Sequence, residues 1–273
     1  MAKDRAFVCF CVDGQSDIDA LHVQFKDLFD QIGGDKIDVD FRYAEFQGEN
    51  QGDITTLKGV TVDNVERKIY RLYFKQKDKN SGLGWDDLTY IIHIIDLDGA
   101  YVQEKGIKEF TKEEETLADR LMTQGKPKNT LYFDDHIAVR KDENSARVSS
   151  VSLMNDRNRR KRQIIEYLIE KDEITVDKRK VKYALYFFSS NLDHFLYGDA
   201  NLTGAEKMRQ AASFSDNNGD AEALVDFFDK SEFCTSDDYY TSWKNVRNAS
   251  LARGTNVNLL IDKIRNSKLE DWI

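Results

Sequence analysis

The stretch Ala6-Phe7-Val8-Cys9-Phe10-Cys11-Val12-Asp13-Gly14 decides the fold. Its apolar part is far too short to cross a membrane and too continuous for a strand with one wet face. It suits a central strand covered on both faces, ending in an acid and a turn. Ser16 or Asp17 then caps a helix. Its apolar positions Ile18, Leu21, Val23, Phe25, Leu28, Phe29 and Ile32 recur at helical period until Gly33-Gly34 stops it. Ile37 to Tyr43 alternates as a strand.

A second apolar run, Tyr90-Ile91-Ile92-His93-Ile94-Ile95, ends in Asp96-Leu97-Asp98-Gly99. It is a second buried strand with acids at its carboxyl end. Between the two runs, 47–53 reads as a loop, 56–77 as a helix and 81–84 as a turn. Farther on, 131–133 reads as a short strand before Asp134-Asp135, 155–171 as a helix and 181–188 as a strand followed by Ser189-Ser190-Asn191. Helical patterns then cover about 203–213, 220–229, 238–252 and 256–267. The expectation is an α/β core over 1–200, a Rossmann-like, mostly parallel sheet flanked by helices. A helical C-terminal region over 201–273 packs on that core.

Composition narrows the function classes. With 40% hydrophobic and 33% charged residues the chain is globular rather than disordered. A net charge of -9 gives no general adhesion to nucleic acid or anionic membrane, though a local basic groove remains compatible with it. Three cysteines, Cys9, Cys11 and Cys234, are too few and too unevenly spaced for a disulfide framework; Cys9 and Cys11 read as small buried hydrophobes on one face of their strand. No signal-peptide core and no membrane span is legible, so the expected address is cytoplasmic.

In an open parallel sheet, ligands bind beyond the carboxyl ends of the strands. If the two apolar strands are neighbours, Asp13, Asp17, Asp96 and Asp98 face one point. Carboxylates at that density repel one another unless a cation such as Mg²⁺ or Mn²⁺ holds them. The bland alternative is that Asp-Gly merely punctuates strand ends.

Two segments resemble the Toprim family. Val12-Asp13-Gly14-x-x-Asp17-x-x-Ala20-Leu21 looks like its first motif, and Ile94-Ile95-Asp96-Leu97-Asp98 looks like its second. Phe187-Phe188-Ser189-Ser190-Asn191-Leu192-Asp193-His194-Phe195 resembles the strand and Ser-Asn segment of the small RloB-like and OLD-family nucleases. The resemblance covers about 6–200. It implies a Toprim-like fold and a metal-dependent nuclease acting on DNA or RNA, in a setting of bacterial anti-phage defence. Asp96 and Asp98 would hold Mg²⁺ or Mn²⁺, Asp13 would be a ligand or base, and Asp17 an outer ligand. Asn191, Asp193 or His194 would complete a second site or protonate the leaving oxygen. The family usually has Glu where this chain has Asp13; Asp17 is the residue that would make up the lost reach.

Small relatives of this type often accompany an ATPase. This chain has no phosphate-binding Gly-rich loop with its Lys, so an ATPase partner would be a separate chain. A catalytically weak module serving such a partner is therefore a second reading, and a homo-oligomer stays open. Ile95-Asp96-Leu97-Asp98-Gly99 also looks like the first motif of haloacid-dehalogenase-like phosphatases, although a full strand–helix–strand unit precedes it here. Substrate cations are expected from the run 157–162, where Arg157, Arg160 and Lys161 share a helix face. The competing reading pairs that face with Glu166, Glu170 and Asp172. His93 reads as a core residue, and His22 and His136 have no legible partner.

Overall fold

The first apolar run becomes strand β1 (Ala6–Val12), buried at every position. Helix α1 (Gln15–Gly33) leads to β2 (Ile37–Tyr43), which lies parallel to β1 with Ala6 opposite Ile37 and Val12 opposite Tyr43. The structure, a computed structural model, describes residues 5–46, 49–50, 52–74, 83–123, 126–141, 150–248 and 251–273. The expected turn at 81–84, the loop at 47–53 and the far end of the 56–77 helix therefore lie partly outside the described residues.

Helix α2 (Val65–Ile69) runs on through a wide π turn at Tyr70–Phe74. It is shorter than the 56–77 period suggested, because Gly59 takes a left-handed φ of 80° and ends any helix begun at Ile54–Thr56. The second apolar run is β3 (Tyr90–Asp96), buried throughout and parallel to β1 on the side away from β2.

A small sheet follows, made of β4 (Ile107–Glu109), β5 (Thr130–Tyr132) and β6 (Ile137–Val139) in the order β4–β6–β5. Helix α3 (Lys112–Arg120) packs beside it. Only the strand near Leu131 was legible in the sequence, since three-residue strands carry no measurable period. Helix α4 (Val151–Ile169), strand β7 (Glu173–Val176) and strand β8 (Arg179–Phe188) complete the main sheet. Its order is β7–β8–β3–β1–β2, and only β7 runs antiparallel.

The alternation of a doubly covered strand divides the core in two. Val8, Phe10 and Val12 face α1, where Phe10 packs against Phe25 and stacks on Phe41 with ring centroids 4.3 Å apart. Phe7, Cys9 and Cys11 face α2 and α4, and both cysteines are free and buried as expected. The last helices are α5 (Leu192–Tyr197), α6 (Gly204–Asn217), α7 (Ala221–Lys230), α8 (Tyr239–Val246) and α9 (Val257–Arg265). Helices α6, α7 and α9 lie on the α1 face, whereas α8 buries Trp243 and Val246 on the other. The protein is thus an α/β structure with a mostly parallel sheet and a helical C-terminal region. No helix among the described residues is long and apolar enough to cross a membrane.

The connection from β1 passes over one face through α1, and the one from β3 passes over the other through α4. Adjacent strands whose connections part in this way open a crevice at their carboxyl ends.

Candidate metal centre

Asp13 follows β1 and Asp96 ends β3, so the two acids leave neighbouring parallel strands at the same end of the sheet. The turn after β3 is tightly held. Leu97 donates its N–H to Phe188 O at 2.9 Å, and Asp98 donates to Ser190 O at 2.9 Å, so β3 and β8 stay paired beyond the strand. Asp98 has φ 47° and Gly99 φ 77°. That φ favours glycine at Gly99, and a Cβ there would also sit 2.2 Å from Ile137 Cδ1 of the small sheet, so the Ile137 side chain would have to shift. Asp96 Oδ1 accepts the Leu192 N–H at 2.9 Å, which ties the start of α5 to the same point.

The other expected ligands are less available. The residue capping α1 is Gly14 rather than Ser16 or Asp17. Asp17 sits one turn in, and its Oδ2 accepts the N–H groups of Asp13 at 3.0 Å and Gly14 at 2.9 Å. It shapes the turn that aims Asp13. Asp98 Oδ2 is bound by Arg157 Nη2 at 3.0 Å and Lys161 Nζ at 3.1 Å. Lys161 also reaches Asp53 Oδ2 at 2.6 Å.

This corrects the assignment of Arg157 and Lys161 to a nucleic-acid surface. They do share a helix face, but that face is turned inward, and Lys161 is 0% exposed. Arg160 lies on the exposed side of α4, away from them. Asp193 is ion-paired with Lys207. Asn191 is a helix cap: its side-chain oxygen accepts the His194 N–H at 2.8 Å, and its amide donates to Ala200 O at 3.0 Å. Asn191→Ala should therefore cost about 1–2 kcal/mol of stability. Urea denaturation checks this, and the loss should be the same with and without divalent ions. His194 Nε2 lies 3.4 Å from Asp134 Oδ1, while its buried Nδ1 has no hydrogen-bond partner among the described residues. His136, partnerless in the sequence, binds Glu114 at 2.9 Å and Asp135 at 2.7 Å. His93 is the core residue expected, hydrogen-bonded to the Tyr183 hydroxyl at 2.9 Å.

The charges of the site separate into two classes. Asp53 and Asp98 are matched by Lys161 and Arg157, and Asp193 by Lys207. Asp13, Asp17 and Asp96 have no ion-pair partner among the described residues. Burial, then Asp53, Asp17 and Asp98, push the Asp13 carboxyl well above its ordinary value. Burial, then Asp17, Asp13 and Asp98, do the same to Asp96. Burial lifts Asp17 to about 6, against the opposing pull of Lys207. Burial alone would raise Asp98 as well; Lys161 and Arg157 outweigh it and hold that carboxyl below its usual range.

Two buried hydroxyls without a hydrogen-bond partner among the described residues flank the unmatched acids. The Tyr73 hydroxyl feels the charges of Asp53 and Asp13, and the Tyr197 hydroxyl those of Asp193 and Asp17. Unmatched carboxylates fit a cation, and a hydroxyl oxygen without a partner can accept a hydrogen bond from water on that cation. Among the described residues no three His, Cys, Asp or Glu side chains are gathered to hold an ion by themselves.

Sequence reasoning missed Asp53, Lys128 and Lys207. Asp53 sits in a polar loop and reads as a turn residue; indeed it also accepts the Thr55 N–H at 2.8 Å. The lysines lie on elements with no apolar landmark. No protein-family model, curated protein or solved structure matches this chain.

Proposed function

We propose that the chain is a divalent-metal-dependent nuclease of the Toprim type, hydrolysing phosphodiester bonds in DNA or RNA, with Asp13 and Asp96 as ligands for Mg²⁺ or Mn²⁺. One observation carries this reading. Two carboxylates leave adjacent parallel strands at the same end of the sheet, beside its crevice, with no ion-pair partner for either among the described residues. A bound divalent ion would polarise the phosphate and acidify water.

The protein's own groups divide the remaining work. Asp13 has a raised proton affinity and is the acid suited to take a proton from water. Asp96 is kept in place by the Leu192 N–H. Lys207, ion-paired with Asp193 and within reach of the charges of Asp96 and Asp17, is the cation suited to meet a phosphate oxygen, with Lys128 next to it. Burial and the neighbouring Lys207 charge lower Lys128 to about 8, so it is still mostly charged at neutral pH. The phosphatase alternative needs a proton-donating acid at Asp98. Lys161 and Arg157 keep that carboxyl ionised, which argues against it.

The test is incubation with supercoiled plasmid, linear DNA and RNA in Mg²⁺, Mn²⁺ or EDTA. Cleavage that requires the ion is expected. No cleavage of any substrate, together with no ion binding by calorimetry, overturns the reading. Ion binding without cleavage would favour the module that serves a separate ATPase chain.

A pH dependence follows. Protons held by Asp13, Asp96 and Asp17 in the folded state compete with the ion. Their contribution to metal-free stability is therefore full below the unfolded carboxylate range. It is lost as pH rises through the folded values, about 6 for Asp17. His93 and His194, both lowered by burial, act in the opposite direction over the same range. The clean quantity is thus the gain in melting temperature on adding Mg²⁺, in which the histidines cancel. That gain should be largest near pH 8, where an ion at 100 times its Kd adds about 2.7 kcal/mol. It should vanish towards pH 5, with affinity falling about tenfold per pH unit for each proton displaced. A gain independent of pH would mean that the ion binds elsewhere.

A further inference from the structure

Many phosphodiester-cleaving sites hold two metal ions roughly 4 Å apart, and the second acid of an Asp-x-Asp pair is a natural ligand for one of them. In this protein a side chain already occupies that role. Lys161 is 0% exposed, and its ammonium lies 3.1 Å from Asp98 Oδ2 and 2.6 Å from Asp53 Oδ2. Arg157 Nη2 binds the same Asp98 oxygen at 3.0 Å, and its Nη1 holds Asp98 O at 3.2 Å. Asn158, next to it, donates to Gly99 O at 2.9 Å. Three residues of α4, Arg157, Asn158 and Lys161, therefore grip the turn that carries Asp98.

Two acids and two cations balance there, and all are held by protein. A second divalent ion at Asp98 would have to expel a buried ammonium or sit beside two fixed positive charges. Asp13, Asp17 and Asp96 form the other half of the site and carry the negative charge left over. Building on the metal-dependent reading above, we infer that the centre takes one divalent ion per chain, at Asp13 and Asp96, with Lys161 as the fixed cation of the second position. Asp53 is its positioning residue: it comes from the loop after β2, is itself braced by Thr55, and sets where the ammonium stands.

Counting bound ions tests this without reference to cleavage. The full chain is titrated with Mn²⁺, and free Mn²⁺ is measured by electron paramagnetic resonance. One ion per chain is expected. In Asp13→Asn the affinity should drop by about a hundredfold or more, whereas Asp98→Asn should keep one ion within about tenfold of wild-type affinity. Two ions per chain, or a loss in Asp98→Asn as large as that in Asp13→Asn, overturns the inference and leaves a metal-dependent enzyme standing. No ion bound by the wild type removes the metal reading itself, and the inference with it. The wild-type count decides even where a variant does not fold.

Discussion

Lys161→Met should destabilise the metal-free protein by about 3–5 kcal/mol, the usual penalty for removing one partner from a buried ion group. Methionine matches the length of the lysine stem, so packing within α4 changes little. What changes is charge. Asp53, 5% exposed, loses its only ion-pair partner among the described residues, and Asp98 keeps Arg157 alone. Both carboxylates then add to the repulsion already felt by Asp13. Urea denaturation at pH 7.5 in EDTA measures the loss. Adding Asp53→Asn to Lys161→Met should recover part of it, because a neutral amide still accepts the Thr55 N–H without a charge to satisfy. A loss below about 1 kcal/mol would mean that the lysine is not the counter-ion that makes this cluster foldable.

Asp96→Asn is expected to reduce ion-dependent cleavage by about 10³-fold, the equivalent of ~4 kcal/mol of transition-state stabilisation. The same substitution should leave stability in EDTA equal to or above that of the wild type. Asparagine retains an oxygen to accept the Leu192 N–H, and it removes a buried charge that Asp17, Asp13 and Asp98 all oppose. Loss of activity with no loss of stability is the mark of a site residue that the fold itself does not need. Side-by-side cleavage and thermal melts read both quantities. Activity within tenfold of wild type would remove Asp96 from the metal site.

These two residues illustrate how far local patterning reaches. The run 6–12 and the run 90–95 could be read as central strands because an unbroken apolar stretch of that length has only one comfortable environment. The acids at their ends followed, whereas the adjacency of the two strands, left conditional by the sequence, came from the sheet topology. The C-terminal helices began within a residue of their expected starts because caps are local, although the one expected over 238–252 ends at Val246. Of the small sheet only the strand near Leu131 was read, because three-residue strands are too short to show a period.

The fate of the charges was not local. Arg157 and Lys161 form a basic helix face in any window of sequence, and such a face normally meets water or phosphate. Here α4 crosses the turn after β3, so the face meets Asp98, which lies 59 and 63 residues away along the chain. Asp53 arrives from yet another loop. Periodicity reports which side of an element is apolar, because that depends on the element alone. What the polar side pairs with depends on which other element is brought against it, and that is a property of the folded chain.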